Sequence, residues 1–391
     1  MYNKINISNV KEECCGCSNC QYICPVNAVK LTIGGGYFYP EVTECIECGL
    51  CKKVCPVINN TSEKRNDVQE SYISFISDVE LRKKSTSGGI FYAVASNIIA
   101  KKGVVYGAIY GEKMKVCHFR ADKIEQINYF RGSKYVQSDI SKVLALIIKD
   151  LNNGKIVLFS GTPCQVAAVK CLCKGKSNYE NLITLEILCY GVPSPLIFND
   201  HIQLIEKLYK SKVTSYTFRD EREGWSQYYI HSAKFSNGVD IYNNNLLQGL
   251  EQLYRSHYNV RESCFECKFI GSKRCGDITV GDCWGINEIA PDMNADYGIS
   301  LVLINSNKGV EIWNELDSEL EYRKVDLNTL KKFNGVLVSA PQKPDDYEEF
   351  WRYYKKNGYL KTLKCYSPYG GVYFKIMRKI RSIKRYIKRK C

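Results

Sequence analysis

The chain has 391 residues, 45% hydrophobic and 25% charged, with 20 cysteines and a formal net charge of +14. That length supports two or three domains with a substantial core, the composition is that of an ordinary soluble protein, and no apolar stretch approaches the ~18 residues of a membrane span. No hydrophobic run opens the sequence, so the chain is expected in the cytoplasm, with its cysteines serving as metal ligands and reduced thiols and not as a disulfide framework.

The first element is a cysteine run, Cys14-x2-Cys17-x2-Cys20-x3-Cys24-Pro25, repeated 31 positions later as Cys45-x2-Cys48-x2-Cys51-x3-Cys55-Pro56. This spacing holds cubane iron–sulfur clusters, because three thiolates in a tight loop wrap three corners and the fourth arrives from elsewhere. The fourth cysteine of each run serves the other cluster. Cys14, Cys17, Cys20 and Cys55 are therefore expected on one [4Fe-4S] cluster, and Cys45, Cys48, Cys51 and Cys24 on a second. Zinc sites use two separated pairs and fit the pattern poorly. The segment resembles the bacterial two-[4Fe-4S] ferredoxin domain, and Cys15 fits no ligand slot and reads as a bystander.

Polar residues from Asn59 to Asp67 read as a linker out of that module. A short strand is expected at Ser71–Ile76, followed by Ser85-Thr86-Ser87-Gly88-Gly89 opening a helix from Ile90 to Ala100. Hydroxyls and glycines there suit either a phosphate cradle or a plain helix cap with glycines for close packing. Gly103–Tyr110 reads as a buried strand, Arg131–Ser138 as a basic loop carrying Ser133 and Lys134, and Val143–Leu151 as a helix. Lys155–Ser160 then makes a strand that turns through Gly161-Thr162-Pro163-Cys164-Gln165 into a helix. Cys164 is thereby set at a helix N-terminus, where the dipole favours thiolate. The strand Leu182–Leu188 ends at Cys189, and the carboxyl end of a strand is where open α/β sheets bind ligands.

Antiparallel strands are expected between Val213 and Tyr242. A second cysteine centre follows, with Cys264, Cys267, Cys275 and Cys283 spaced for either a zinc ribbon or a cluster. Four scattered histidines argue against a histidine-based metal enzyme, and neither a Walker loop nor a dinucleotide fingerprint is present. Nine of the lysines and arginines lie between Gly371 and Cys391 with no acid among them, leaving 14 − 9 = +5 for the rest. On a helix this segment aligns Tyr373, Ile376, Met377, Ile380, Ile383 and Ile387, which suits peripheral contact with an anionic membrane, a partner surface, or a solvated tail. No nucleic-acid partner is expected.

In order, Ser85-Thr86-Ser87-Gly88-Gly89, Gly132-Ser133-Lys134-Tyr135, Gly161-Thr162-Pro163-Cys164-Gln165, Cys189-Tyr190-Gly191-Val192-Pro193-Ser194, Cys264-x2-Cys267 and Gly276-Asp277-Ile278-Thr279-Val280-Gly281-Asp282 resemble the coenzyme F-420 hydrogenase/dehydrogenase beta-subunit family. The resemblance covers roughly residues 70 to 305. It implies an α+β chain divided into a ferredoxin module at 1–60, an α/β flavin and iron–sulfur domain at 70–340 and a basic amphipathic tail at 341–391. It implies FAD, with Ser87, Gly88, Gly89, Ser133 and Lys134 toward the flavin phosphates. It also implies a third [4Fe-4S] cluster on Cys264, Cys267 and Cys275, with Cys164 the first choice of fourth ligand and Cys189 or Cys283 behind it. The activity implied is an oxidoreductase taking electrons from a ferredoxin or other redox protein and passing them to a small hydride acceptor. That acceptor would be a deazaflavin coenzyme or another unsaturated molecule, a role beside polysaccharide synthesis included. The alternative is a non-catalytic electron-transfer subunit of a larger complex.

Overall fold

The computed structural model describes residues 7–10, 12–59, 65–225 and 229–390; most of the polar linker expected at Asn59–Asp67 lies outside the described residues. The cysteine repeat is also a repeat of backbone conformation. Gly16 and Glu47 are both left-handed (φ 70° and 56°), as are Ser18 and Gly49 (φ 67° and 71°), and each pair is separated by the repeat length. A left-handed Glu47 is sterically unfavourable, so the loop geometry is imposed by the cysteine wrap and not by local preference. Helices α1 (Asn19–Ile23) and α2 (Leu50–Lys53) follow these turns and pack on each other. An antiparallel hairpin, β1 (Val29–Gly34) with β2 (Tyr37–Val42), covers them.

The body is an eight-stranded mixed sheet of β3 (Glu70–Ile76), β4 (Val104–Tyr110), β5 (Val116–Ala121), β6 (Val157–Gly161), β7 (Leu182–Ile187), β11 (Ile278–Asp282), β12 (Ser300–Ile304) and β13 (Leu320–Lys324). Its order is β13-β3-β12-β11-β7-β6-β4-β5, with β4, β6, β7 and β11 mutually parallel and the outer strands antiparallel. Every residue of β6 is buried, as a strand covered on both faces requires. A second sheet holds β8 (Val213–Thr217), β9 (Ser232–Phe235) and β10 (Asp240–Tyr242), the antiparallel strands expected there.

The helices that position the site are α3 (Ile90–Ala100), whose bounds match the sequence expectation, α4 (Leu144–Asn152), α5 (Pro163–Cys173), α6 (Pro195–Tyr209) and α7 (Asn245–Arg255). Pro163 at the first turn and a Thr162–Gln165 capping box start α5, since proline has no donor to lose there and the two side chains satisfy orphan N–H groups. Helices α8 (Tyr347–Tyr366) and α9 (Val372–Lys390) close the chain.

Two expectations change. The segment from 341 is not a tail throughout: Phe350, Leu363, Cys365 and Tyr366 of α8 are buried in one core with Phe198, Ile202 and Leu250. Its tyrosines and lysines concealed that role, since an aromatic face mixed with lysines has weak amphipathic contrast. The ferredoxin-like segment is also not an appended bead. Val10, Val29 and Val54 share a core with Phe159, Val166 and Val169, and Asn19 Nδ2 donates to the carbonyl of Ala168 in α5 at 2.8 Å.

Candidate redox site

Cys14, Cys17, Cys20 and Cys55 line one small cavity, together with Gly16, Asn19 and Pro56. The four thiols expected on one cluster are therefore adjacent, although Cys55 comes from the second run. Backbone N–H groups already point at sulfur in both runs: Gly16 donates to Cys14 Sγ and Glu47 to Cys45 Sγ, each at 3.3 Å, and Ala28 donates to Cys24 Sγ at 3.2 Å. Such donors stabilise negative charge on the sulfurs of a bound cluster. Without one, burial and neighbouring thiols push Cys20 up to about 12 and Cys55 up to about 11, so these thiols are protonated at neutral pH and metal loading releases protons. Cys45, Cys48 and Cys51 form the second loop, with Cys48 at the surface. Among the described residues, no three metal-binding side chains converge tightly enough for a single ion.

The second cysteine centre is assembled from three separate parts of the chain. Burial raises Cys189, Cys264 and Cys267, and the Cys164 thiol raises each of the three further. Phe269 N donates to Cys267 Sγ at 3.4 Å. Cys164 does stand at the first turn of α5, with Thr162 Oγ1 3.2 Å from its sulfur. Its thiol is nevertheless held well above the ordinary range by the Cys15 thiol bonded to it and by burial, which outweigh the helix dipole. Cys275 lies in the same core, its backbone pinned by Glu186 Oε2 and Lys170 Nζ, whereas Cys283 is buried in the separate core of Leu301, Ile286 and Leu330. Cys15 is no bystander, because it joins this group through Cys164.

The third feature is a cavity of about 700 Å3 at the carboxyl ends of the parallel strands. Ser87, Gly89, Ser133 and Lys134 line it, and so do Thr162, Cys189 and Asp282. The loops at 85–89 and 131–135 clasp each other: Ser133 N donates to Thr86 Oγ1 at 3.1 Å and Arg131 Nη2 to Ser85 Oγ at 2.9 Å. Gly89 caps α3 in the left-handed conformation (φ 85°). Gly88 is a packing glycine, since a Cβ there would meet Ser74 O at 2.3 Å, and it is not among the lining residues. Lys134 Nζ donates to the carbonyls of Phe130, Arg131 and Gly132 at 3.0 to 3.2 Å, and burial lowers it to about 7. The lysine staples its own loop. Beside the 85–89 loop the buried Arg219 pairs with Asp282, Trp225 Nε1 donates to the Thr86 carbonyl at 3.2 Å, and the rings of Trp225 and Trp284 stack at 5.5 Å.

These features agree in place with one comparison. Residues 154–328 match the family model for the carboxyl-terminal region of the coenzyme F420 hydrogenase/dehydrogenase beta subunit. The matched segment contains Cys164, Cys189, Cys264 and Cys267, with β6, β7 and β11 and part of the lining of the large cavity. A chain in the solved structure "Xenon derivatization of the F420-reducing [NiFe] hydrogenase complex from Methanosarcina barkeri" is similar at 17% identity and a TM-score of 0.49, over 73% of this chain and 91% of that chain. No curated protein matches the chain.

Proposed function

We propose that the chain is an iron–sulfur flavoprotein oxidoreductase that carries electrons from a ferredoxin-type donor through its cysteine centres to FAD and on to a small hydride acceptor. One observation carries this reading: the thiol groups are contiguous and end at the large cavity. The cavity that Cys14, Cys17, Cys20 and Cys55 line is also lined by Cys15, the free Cys15 thiol is hydrogen-bonded to that of Cys164, and Cys189, on which Cys164 acts, lines the 700 Å3 cavity. Electron transfer needs such contiguity, and a set of unrelated structural thiols does not.

The residues present fit the groups implied. Cys14, Cys17, Cys20 and Cys55 would hold one [4Fe-4S] cluster and Cys45, Cys48, Cys51 and Cys24 a second. For a third, the mutual neighbours Cys164, Cys189, Cys264 and Cys267 replace Cys275 in the ligand set expected from sequence. The cavity has the size of a site for a large cofactor or drug-like ligand and opens at the strand ends where α/β sheets bind ligands. Clusters move electrons singly, and a flavin gathers two for a hydride.

Around the cavity the chain's own residues have separate tasks. Gly89 offers its backbone N–H and Ser133 its hydroxyl to phosphate beside the start of α3, while the Ser87 hydroxyl donates to the Ile299 carbonyl at 2.9 Å and shapes that loop. Lys134 holds the 131–135 loop in shape and supplies positive charge near it. Tyr135 and Tyr254, stacked at 5.7 Å, close the far side against water.

The words "beta subunit" in the family description favour a second reading, an electron-transfer subunit serving a separate enzyme. Anaerobic reconstitution with FAD separates the two. Stoichiometric flavin that bleaches with reduced ferredoxin and recovers with a deazaflavin or nicotinamide supports the oxidoreductase. Flavin that bleaches but is reoxidised only by a partner protein supports the subunit, and failure to bind flavin at all overturns the oxidoreductase.

A further inference from the structure

We infer that α9 is a seat for an anionic lipid bilayer, so that the protein works at a membrane surface. This inference does not depend on the redox reading. Val372, Tyr373, Ile376, Ile380 and Ile383 are all exposed, Val372 at 71% and Ile376 at 53%, although their side chains are among the most apolar on the molecule. At 3.6 residues per turn they fall within an arc of about 100°. Lys375, Arg378 and Lys379 flank that arc in solvent. No acidic residue interrupts the nine lysines and arginines between Gly371 and Cys391.

The opposite side of the helix is already engaged. Arg381 is buried, donates through Nη1 to the carbonyl of Cys365 at 2.9 Å, lies 4.2 Å over the Tyr366 ring and faces Asp346. Met377 packs into the same core. With one side fixed on α8, the apolar stripe presents a single outward face, which suits a plane and not a groove that wraps a helix. A second copy of the chain would bring two acid-free cationic helices together, at a repulsive cost. A nucleic acid would neutralise the cations and leave the isoleucines in water. An anionic bilayer meets both demands, taking the stripe into the headgroup and acyl boundary and the cations onto lipid phosphates.

The test is co-sedimentation of the reconstituted full chain with phosphatidylcholine vesicles, with and without phosphatidylglycerol. Binding is expected only to the anionic vesicles and weakens as salt rises. The double variant Ile376→Glu/Ile380→Glu should bind the same vesicles about tenfold less tightly or worse, because burying those carboxylates opposes insertion. Both positions are exposed, so an unchanged far-ultraviolet circular dichroism spectrum and thermal midpoint will show that the fold is intact. Equal sedimentation of wild type and variant, no sedimentation with anionic vesicles, or self-association through α9 in an ultracentrifuge would each overturn the inference.

Discussion

The buried guanidinium of Arg261 donates through Nε to the carbonyl of Cys14 at 2.7 Å, which fastens the first cysteine loop to the domain that carries the second cysteine centre. The same side chain donates to Gln137 Oε1 at 3.1 Å and to the carbonyl of Phe38 at 2.9 Å. Gln137 in turn donates to the carbonyl of Cys15 at 3.0 Å, and Ser263 to that of Cys14 at 3.0 Å. Arg261 is three residues from Cys264, so one short segment places a thiol and locks the module it must communicate with.

Replacing Arg261 with methionine keeps the apolar stem but leaves three buried acceptors short of a donor. A loss of about 2–4 kcal/mol is expected, measured by anaerobic denaturant unfolding. The variant should also become sensitive to proteolysis near residues 60–65, where the module would no longer be held. An unchanged midpoint with unchanged protease resistance would show that the shared valine core does the fastening alone.

The thiol set of the second centre gives a direct comparison. Three clusters predict roughly twelve irons per chain. Cys189→Ser should fall to roughly eight with loss of one electron paramagnetic resonance signal, whereas Cys275→Ser should keep roughly twelve and lose stability only. The reverse result would restore Cys275 to the ligand set and remove Cys189.

Acid should weaken the fold through His118 and His201. Burial lowers His118 to about 4 and His201 to about 3, so both are neutral in the native state at neutral pH. His118 receives the Ser138 hydroxyl at 2.6 Å and donates to the Ser160 carbonyl at 2.8 Å. The unfolded chain binds protons at both positions below about pH 6.5, so stability is full above that pH and falls as pH drops toward 4, by about 1.4 kcal/mol per pH unit for each histidine. Glu221 works oppositely, since burial raises its carboxyl to about 7 and the native state holds that proton. Between pH 6.5 and 5.5 the net slope should equal about one histidine, and His118→Asn should make it nearly flat. Urea midpoints across that window measure both, and a variant slope as steep as wild type would contradict the assignment.

The cysteine spacing, its repeat, the α3 helix and the strand–turn–helix at Cys164 were legible because each depends on neighbours a few positions apart. Spacing dictates how a loop wraps, and periodicity dictates which face is apolar. The same local logic left out that Cys15 lies against Cys164, since its sequence neighbourhood does not record what lies across the fold. Nor does it record that the Lys134 amine is hydrogen-bonded to three carbonyls of its own loop.

By itself, then, the sequence determined the repeated spacing of eight cysteines and that the last helix is cationic with an apolar stripe. Only the tertiary structure decided that Cys164, Cys189, Cys264 and Cys267 meet, that Ser133 bonds Thr86 to close one wall of the cavity, and that Arg261 reaches Cys14. Those contacts join residues dozens to hundreds of positions apart. Their partners are chosen by how the parallel strands and α5 pack around a shared core, a condition that no local pattern of residues encodes.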